Sequence, residues 1–281
     1  MPDLLPIALA DTATTLHATE AGKVVVCGSH GALYPAALLL AAKVRGSILY
    51  DAGGQGQTGL AVQEGLDLLE RHGLPGALCS VHASRIGDAA DAWTRGMISS
   101  CNGLAARLGV QPGMTVRDAA ERLTHASWDA AAVPTVAPPR ETRCVIGVGE
   151  LHVVLVDSAS LVEPQDAGKI VITGSHGALV GNDPAKALAV DAAAAVFHDA
   201  GMGIGQAGIQ RLGALARRGI AAVTVAADSA PIGCAKAIWD TGIISAANET
   251  ARQTGASNGQ SLQAWVWQLG DLESRGQAGR R

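Results

Sequence analysis

The chain has 281 residues, of which 48% are hydrophobic, 16% charged and 3% aromatic, and its formal net charge at pH 7 is -4. This composition is typical of a compact protein with a large core, and it argues against nucleic-acid binding because neither a basic stripe nor a set of stacking aromatic residues is present. The longest apolar stretch, Ala36 to Ala42, is far shorter than the roughly 20 residues of a membrane span, and no signal sequence is recognised, so we expect a cytoplasmic protein.

The first half of the chain is predicted to alternate between strands and helices. Strands are expected at Lys23 to Cys27, Ser47 to Tyr50 and Gly76 to Val81, and helices at Pro35 to Val44, Leu60 to His72, around Ala89 to Leu108 and at Val116 to Thr124. Strands that alternate with helices of ten to fifteen residues predict a parallel sheet that is covered on both faces.

The second half of the sequence repeats the first. Ala21 to Leu33 reads AGKVVVCGSHGAL and Ala167 to Leu179 reads AGKIVITGSHGAL, so ten of thirteen positions are identical at an offset of 146. A repeat of this length indicates two domain-sized copies rather than a solenoid of short repeats. We therefore predict an α/β fold of two homologous Rossmann-like three-layer units, an internal duplication related by a pseudo-twofold axis.

The domain boundaries follow from this repeat and from local composition. The first α/β repeat is expected over residues 1–125 and the second over 144–272. Residues 126–143 form a Pro/Ala-rich linker, and residues 273–281 are expected to be a loose polar tail.

Each copy carries a Gly-Ser-His-Gly segment between a strand and a helix, where backbone N–H groups at the carboxyl edge of a sheet suit an anion. The positive helix end disfavours the imidazolium form, so His30 and His176 are candidates for a neutral base or hydrogen-bond donor. The alternative interpretation is a structural turn. The neighbouring positions predicted to contact a substrate are Ser29, Gly31, Ser175 and Gly177.

Asp51 and Asp199 follow predicted strands and are the second pair of candidate catalytic residues. They are expected to cap a helix, to orient a histidine or to bind a metal. The spacing of His and acidic residues matches no common metal motif, and the five cysteines contain no CxxC pair, so no metal is expected and a divalent ion remains a minority interpretation.

Two glycine-rich segments match the G-x-G-x-x-G dinucleotide pattern, at Gly54 to Gly59 and at Gly203 to Gly208. Asp228 lies twenty residues after the second match, whereas His82 occupies the corresponding place in the first copy. NAD is therefore a minority interpretation, and a tight structural turn is favoured.

The two copies differ most at the junction His82 to Asp88, because the second copy has no arginine there. Arg85 presents a planar fork suited to a carboxylate and is predicted to anchor the substrate, unless it pairs with Asp88 or Asp91 on the surface. The other candidate substrate contacts are His82, Ser84, Asn102 and Asn248.

The leading functional hypothesis is a cofactor-independent acid–base enzyme, a lyase or isomerase, that acts on a small carboxylate or amide at the cleft between the two repeats. Three alternatives stay open. The first is an amide or ester hydrolase that uses Ser29, Ser175 or an activated water, the second is an NAD-dependent oxidoreductase, and the third is a non-catalytic protein that binds small anions. The expected partner is a small anionic or amide substrate, without nucleic acid or membrane, and a homo-oligomer is left open.

Overall fold

The computed structural model describes residues 6–129, 131, 136–149 and 151–278, with side chains as far as Asp271. The linker and tail predictions fall partly outside these residues. Over this part of the chain the protein is a mixed α/β structure with a five-stranded sheet, a six-stranded sheet and nine α-helices. In the same residues, no helix has both the length and the apolar composition needed to cross a membrane.

The chain divides into two compact units. Unit 1 comprises residues 1–140 together with two short segments, 180–182 and 201–207, and unit 2 comprises 141–179, 183–200 and 208–281. The elements of unit 1 are β1 (Ile7–Ala10), β2 (Val24–His30), α1 (Leu33–Ala41), β3 (Gly46–Tyr50), α2 (Gly56–Arg71), β4 (Gly76–Cys79), α3 (Ala89–Arg95), β5 (Ile98–Cys101), α4 (Gly103–Arg107) and α5 (Val116–Leu123).

The strands of unit 1 lie in the order β1-β2-β3-β4-β5, with parallel pairing from β1 to β4 and antiparallel pairing of β5 with β4. Ser47 pairs with Gly76 in register, so Gly46 and Gly76 point to opposite faces of the sheet. Gly46 faces Leu123 of α5, and Gly76 faces Leu69 of α2. Helices therefore cover both faces of this sheet.

One predicted helix of unit 1 is wrong. The segment Ala89 to Leu108 holds two short helices, α3 and α4, and the edge strand β5 between them. Helix α3 stops before Gly96, and the Asn102 side chain accepts a hydrogen bond from Ala105 N–H to cap α4. An edge strand of four residues is too short to show a periodic hydrophobic pattern.

Unit 2 contains the remaining strands and helices, which are β6 (Arg143–Val148), β7 (Leu151–Val156), β8 (Ile170–His176), β9 (Ala194–His198), α6 (Gln210–Ala216), β10 (Ala221–Val225), α7 (Ala235–Thr241), β11 (Ile244–Ala247), α8 (Glu249–Gln253) and α9 (Leu262–Ala278). Its sheet has the order β11-β10-β9-β8-β7-β6, with antiparallel strands at both edges and parallel strands between them. Separate hydrophobic clusters pack on its two faces.

Neither sheet follows the strand order of a doubly wound fold. In the described part of the chain the strands lie side by side in sequence order, without the reversal that opens a ligand crevice in Rossmann folds. Helices cover both faces of the unit 1 sheet, but the described strands of neither sheet have the Rossmann order.

Candidate functional site

The Gly-Ser-His-Gly segment of unit 1 is not a free turn, because β2 continues through Gly28 and Ser29 to His30. The strand bulges on the way, since Val26 pairs with Ile48 and His30 pairs with Tyr50. Three residues of β2 thus lie opposite one residue of β3. The bulge carries His30 to the carboxyl end of the strand, three residues before α1 begins.

Unit 2 has the same bulge in β8. Ile172 pairs with Val196 and His176 pairs with His198, and Gly177 N–H donates to His198 O at 2.8 Å. The histidines differ in exposure, however: His176 is 7% exposed, whereas His30 is only partly buried. Of the two candidate histidines, His30 is the more accessible to a small molecule.

The ring of His30 has a defined hydrogen-bonding direction. Ala32 N–H donates to its Nδ1 at 3.4 Å. Because Nδ1 accepts this hydrogen bond, the neutral ring carries its proton on Nε2. His30 is thus set up to donate a hydrogen bond from Nε2.

The serines of the two segments accept hydrogen bonds from the backbone. Ser29 Oγ accepts from Ala13 N–H at 2.9 Å, and Ser175 Oγ accepts from Ala159 N–H at 2.9 Å. These bonds tie the bulge of each strand to the 3-10 turn that precedes the strand in the chain. This arrangement favours a structural role for both hydroxyls over that of an activated nucleophile.

The glycines of the two segments allow close backbone packing. A Cβ at Gly28 would lie 2.3 Å from Asp11 O, and one at Gly174 would lie 2.5 Å from Asp157 O. A Cβ at Gly31 would lie 2.4 Å from Leu78, and one at Gly177 would lie 2.4 Å from Gly208 O. Packing therefore accounts for these glycines without any ligand.

Each candidate aspartate joins the loops that follow two neighbouring strands of its own sheet. Asp51 Oδ1 accepts hydrogen bonds from Gly53 N–H at 3.2 Å and from Val81 N–H at 3.1 Å. Asp199 Oδ1 accepts one from Ala227 N–H at 3.0 Å. Asp51 is partly exposed, whereas Asp199 is buried, so the carboxylate of unit 1 is again the more accessible one.

A buried polar chain next to His30 involves Tyr50 and Cys79, which the sequence analysis did not single out. The Tyr50 hydroxyl lies 2.9 Å from Ser84 Oγ, which lies 3.2 Å from Cys79 Sγ. Burial raises the pKa of Tyr50 and raises the pKa of Cys79 to about 11, so both are neutral near pH 7. Ser84 is fully buried within this group of hydrogen-bonded side chains and does not face solvent.

In unit 2, His198 takes the place that Tyr50 has in unit 1. Ala200 N–H donates to His198 Nδ1 at 3.0 Å, so Nε2 carries the proton and donates to Ala230 O at 3.1 Å. Burial lowers the pKa of His198 to about 4. His198 is therefore a neutral core histidine.

Arg85 and His82 lie on the surface of unit 1. The Arg85 side chain is 41% exposed and its guanidinium is 3.7 Å from the carboxylate of Asp91, which also binds Arg95 at 2.9 Å. Its backbone N–H donates to Asp91 Oδ2 at 2.7 Å. Arg85 therefore forms a surface ion pair with Asp91, which was the alternative interpretation of this residue. His82, three residues earlier in the chain, is exposed.

Asn102 and Asn248 make matching backbone contacts. Asn102 Oδ1 accepts from Gly76 N–H and Ala105 N–H, and Asn248 Oδ1 accepts from Ala222 N–H and Ala251 N–H. Both side chains are buried. Each asparagine therefore joins the start of a short helix to a neighbouring strand.

The two G-x-G-x-x-G matches adopt different conformations. Gly54 to Gly59 is largely exposed and leads into α2, while Gly203 to Gly208 forms 3-10 turns with left-handed Gly205 and Gln206. Asp228, the acidic residue of the second match, is exposed. In the described residues, no group of three or more His, Cys, Asp or Glu side chains is placed to hold a metal ion.

None of the protein families, curated proteins and solved structures with which the chain was compared matches it. We therefore infer its chemistry from its own side chains.

Proposed function

We propose that the protein is a cofactor-independent acid–base enzyme of the lyase or isomerase class that acts on a small carboxylate or amide. The active site lies at the carboxyl end of β2 and β3 in unit 1. The observation that carries this proposal is the orientation of His30, whose Nδ1 accepts from Ala32 N–H and whose partly exposed ring directs its proton to Nε2.

A donor at this position suits chemistry next to a carbonyl group. The Nε2–H of a neutral imidazole stabilises the oxygen of an enolate as negative charge develops on it, without releasing a full proton. Asp51, at the end of the adjacent strand, is the candidate base, because it is partly exposed and its Oδ1 is fixed by two backbone N–H groups. The pair supplies one acid and one base.

We also propose that the two units are the products of an internal duplication. The sequence repeat supports this, and so do the equal positions of the strand bulges and the matching contacts of Asn102 and Asn248. In this interpretation the fold required both Gly-Ser-His-Gly segments, while only unit 1 kept an accessible histidine.

Solvent exchange tests the proposed chemistry. The protein is incubated in D₂O with a panel of small 2-oxo and 2-hydroxy carboxylates and their amides, and proton NMR follows each substrate. We expect deuterium to enter next to the carbonyl group, or conversion of one panel member. His30→Gln should slow this by about 10² to 10⁴-fold, whereas the control His125→Gln, an exposed histidine of unit 1, should keep the wild-type rate.

Three results would contradict the proposal. Labelling of Ser29 or Ser175 by a serine-directed phosphonate, together with ester or amide hydrolysis, would assign a hydrolase. A ligand that binds tightly and survives long incubation without exchange would assign a binding protein. Equal rates for wild type and His30→Gln would remove His30 from the site.

A further inference from the structure

Unit 1 has a cavity of about 320 Å³ at the opposite end of its strands from His30. Val44 lies two residues before β3 and Leu74 two residues before β4, so the cavity is at the amino edge of the sheet. Its volume is at the lower end of the range for small-molecule sites. Nothing in the acid–base chemistry of His30 uses this cavity.

An indole ring forms one wall of the cavity and is held in place. Trp128 Nε1 donates to Lys43 O at 3.0 Å, and three ring carbons lie 3.2 to 3.3 Å from where a Cβ on Gly22 would be. Because this glycine leaves room, the ring packs against the backbone. Its position is therefore fixed, and the indole is one of the groups that line the cavity.

A guanidinium also lines the cavity. Arg45 Nη1 donates to Thr124 O at 2.9 Å, its Nε is buried without a hydrogen bond, and no described carboxylate pairs with it. Asp129 lines the same cavity, but its Oδ1 accepts from Ala131 N–H at 2.9 Å. The positive charge of Arg45 thus has no anionic partner in the described part of the chain.

Unit 2 fills the equivalent position with an ion pair. Arg218 and Asp191 stand where unit 1 has His72 and Lys43, as the matching backbone contacts show: Gly22 N–H donates to Lys43 O, and Gly168 N–H to Asp191 O. Arg218 donates to Asp191 Oδ1 at 2.8 and 3.0 Å and to Leu188 O at 2.8 Å. In unit 1 the shorter His72 lines an open cavity instead.

We propose that this cavity is a second binding site, specific for a small planar aromatic carboxylate. The ring of such a ligand stacks on Trp128, and its carboxylate pairs with Arg45. The size of the cavity limits the ligand to about one or two rings. His72 supplies a further donor at the rim.

Benzoate and benzamide, which differ in charge but hardly in shape, are the probes. We expect benzoate to shift the indole Nε1–H resonance of Trp128 in a saturable way, and benzamide to bind at least about tenfold more weakly because it cannot pair with a guanidinium. Equal affinities for the two probes, or benzoate shifts near His30 without a shift at Trp128, would overturn the proposal. The proposed acid–base activity is measured separately by the solvent-exchange assay, so the two proposals can fail independently.

Variants locate the binding. Arg45→Gln should abolish the preference for benzoate, while Arg252→Gln, an exposed arginine of unit 2, should leave binding unchanged. The double variant Lys43→Asp, His72→Arg copies the ion pair of unit 2 and should fill the cavity, so benzoate binding should be lost with the fold intact. Aspartate also tolerates the left-handed backbone of Lys43, with its φ of 53°, better than lysine does. Undiminished binding in this double variant would refute the site.

Discussion

Two glycines within helices differ in what an added methyl group would meet. A Cβ at Gly65 of α2 would lie 1.8 Å from Gly31 O, whereas one at Gly213 of α6 meets nothing within 4 Å. Gly65 therefore lets α2 approach the residue that follows His30. Gly213 has no such contact and only weakens its helix.

We predict opposite effects of alanine at these two positions. Gly65→Ala should lower the free energy of unfolding by about 1 to 3 kcal/mol through overpacking, and Gly213→Ala should raise it by about 0.5 to 1 kcal/mol through better helix propensity. Urea unfolding of both variants and the wild type measures the difference. If Gly65→Ala were as stable as wild type, α2 would not be packed against Gly31.

The stability of the protein should also depend on pH through the buried His198. Its pKa is about 4 in the folded protein and about 6.5 when exposed, so the unfolded chain binds a proton that the folded protein excludes. Stability is therefore unaffected above pH 6.5 and is lost as the pH falls from 6.5 towards 4. The contribution of His198 at pH 4 is a loss of about 3 kcal/mol.

The variant His198→Gln isolates this contribution, because all other titrating groups are common to both proteins. Urea unfolding from pH 7 to pH 4 should show the wild type losing its stability advantage over His198→Gln as the pH falls. A difference that does not vary with pH would mean that His198 is protonated, or accessible to solvent, in the folded protein.

The segments that follow β2 and β8 fold differently. After β2 the chain forms the helix α1, whereas after β8 it forms short 3-10 turns at Val180–Asn182 and Pro184–Lys186. Gly181 and Asn182 adopt left-handed φ values of 62° and 55°, and the proline follows two residues later. Such a sequence cannot continue a helix.

A buried arginine of unit 2 binds backbone carbonyls of the segment after β8. Arg211 is 4% exposed and takes the position of Gly65, with both residues packed on the glycine after the strand bulge. Its guanidinium donates to Ala178 O at 3.0 Å and Ala187 O at 2.5 Å and stacks on Phe197. Burial lowers the pKa of Arg211 to about 10, so it remains charged at pH 7.

We predict that Arg211→Met destabilises unit 2 although the side chain keeps a similar length. Two buried carbonyls lose their donor, and each unsatisfied group costs roughly 1 to 3 kcal/mol. Removing the buried charge offsets part of this loss, so we expect a net decrease of about 2 kcal/mol in urea unfolding. The exposed neighbour Arg217 is the control, and Arg217→Met should change stability by less than about 0.5 kcal/mol. Equal stability of the two variants would refute the role of Arg211.

The strands and helices with a clear hydrophobic period could be predicted from the sequence, and others could not. The buried strands β2, β3 and β4 lie close to their predicted positions, as do α1, α2 and α5. Strand β5 was missed because Ile98–Cys101 has only one fully buried residue. The bulge before His30 depends on contacts with Asp11 and Gly87, which are distant in sequence.

The sequence repeat singled out candidate residues without showing what they do. Ser29, Asp51 and Asn102 recur in unit 2 and bind backbone groups there in the same way. A sequence repeat preserves residues needed for folding as well as residues needed for chemistry, so the repeat alone cannot distinguish the two roles. The two roles are distinguished by the exposure of each side chain and by the direction of its hydrogen bonds, and both depend on the folded structure.

The two histidines of the repeat should therefore respond differently to the same substitution. His30 is partly exposed and accepts a hydrogen bond from Ala32 N–H at Nδ1, whereas His176 is 7% exposed. His176→Gln should leave the rate of solvent exchange within about threefold of wild type and lower the stability of unit 2 by about 1 to 3 kcal/mol, as loss of a buried polar contact does. His30→Gln should have the reverse profile, with a rate loss of about 10² to 10⁴-fold and little change in stability. A rate loss in His176→Gln that exceeds the loss in His30→Gln would move the active site to unit 2.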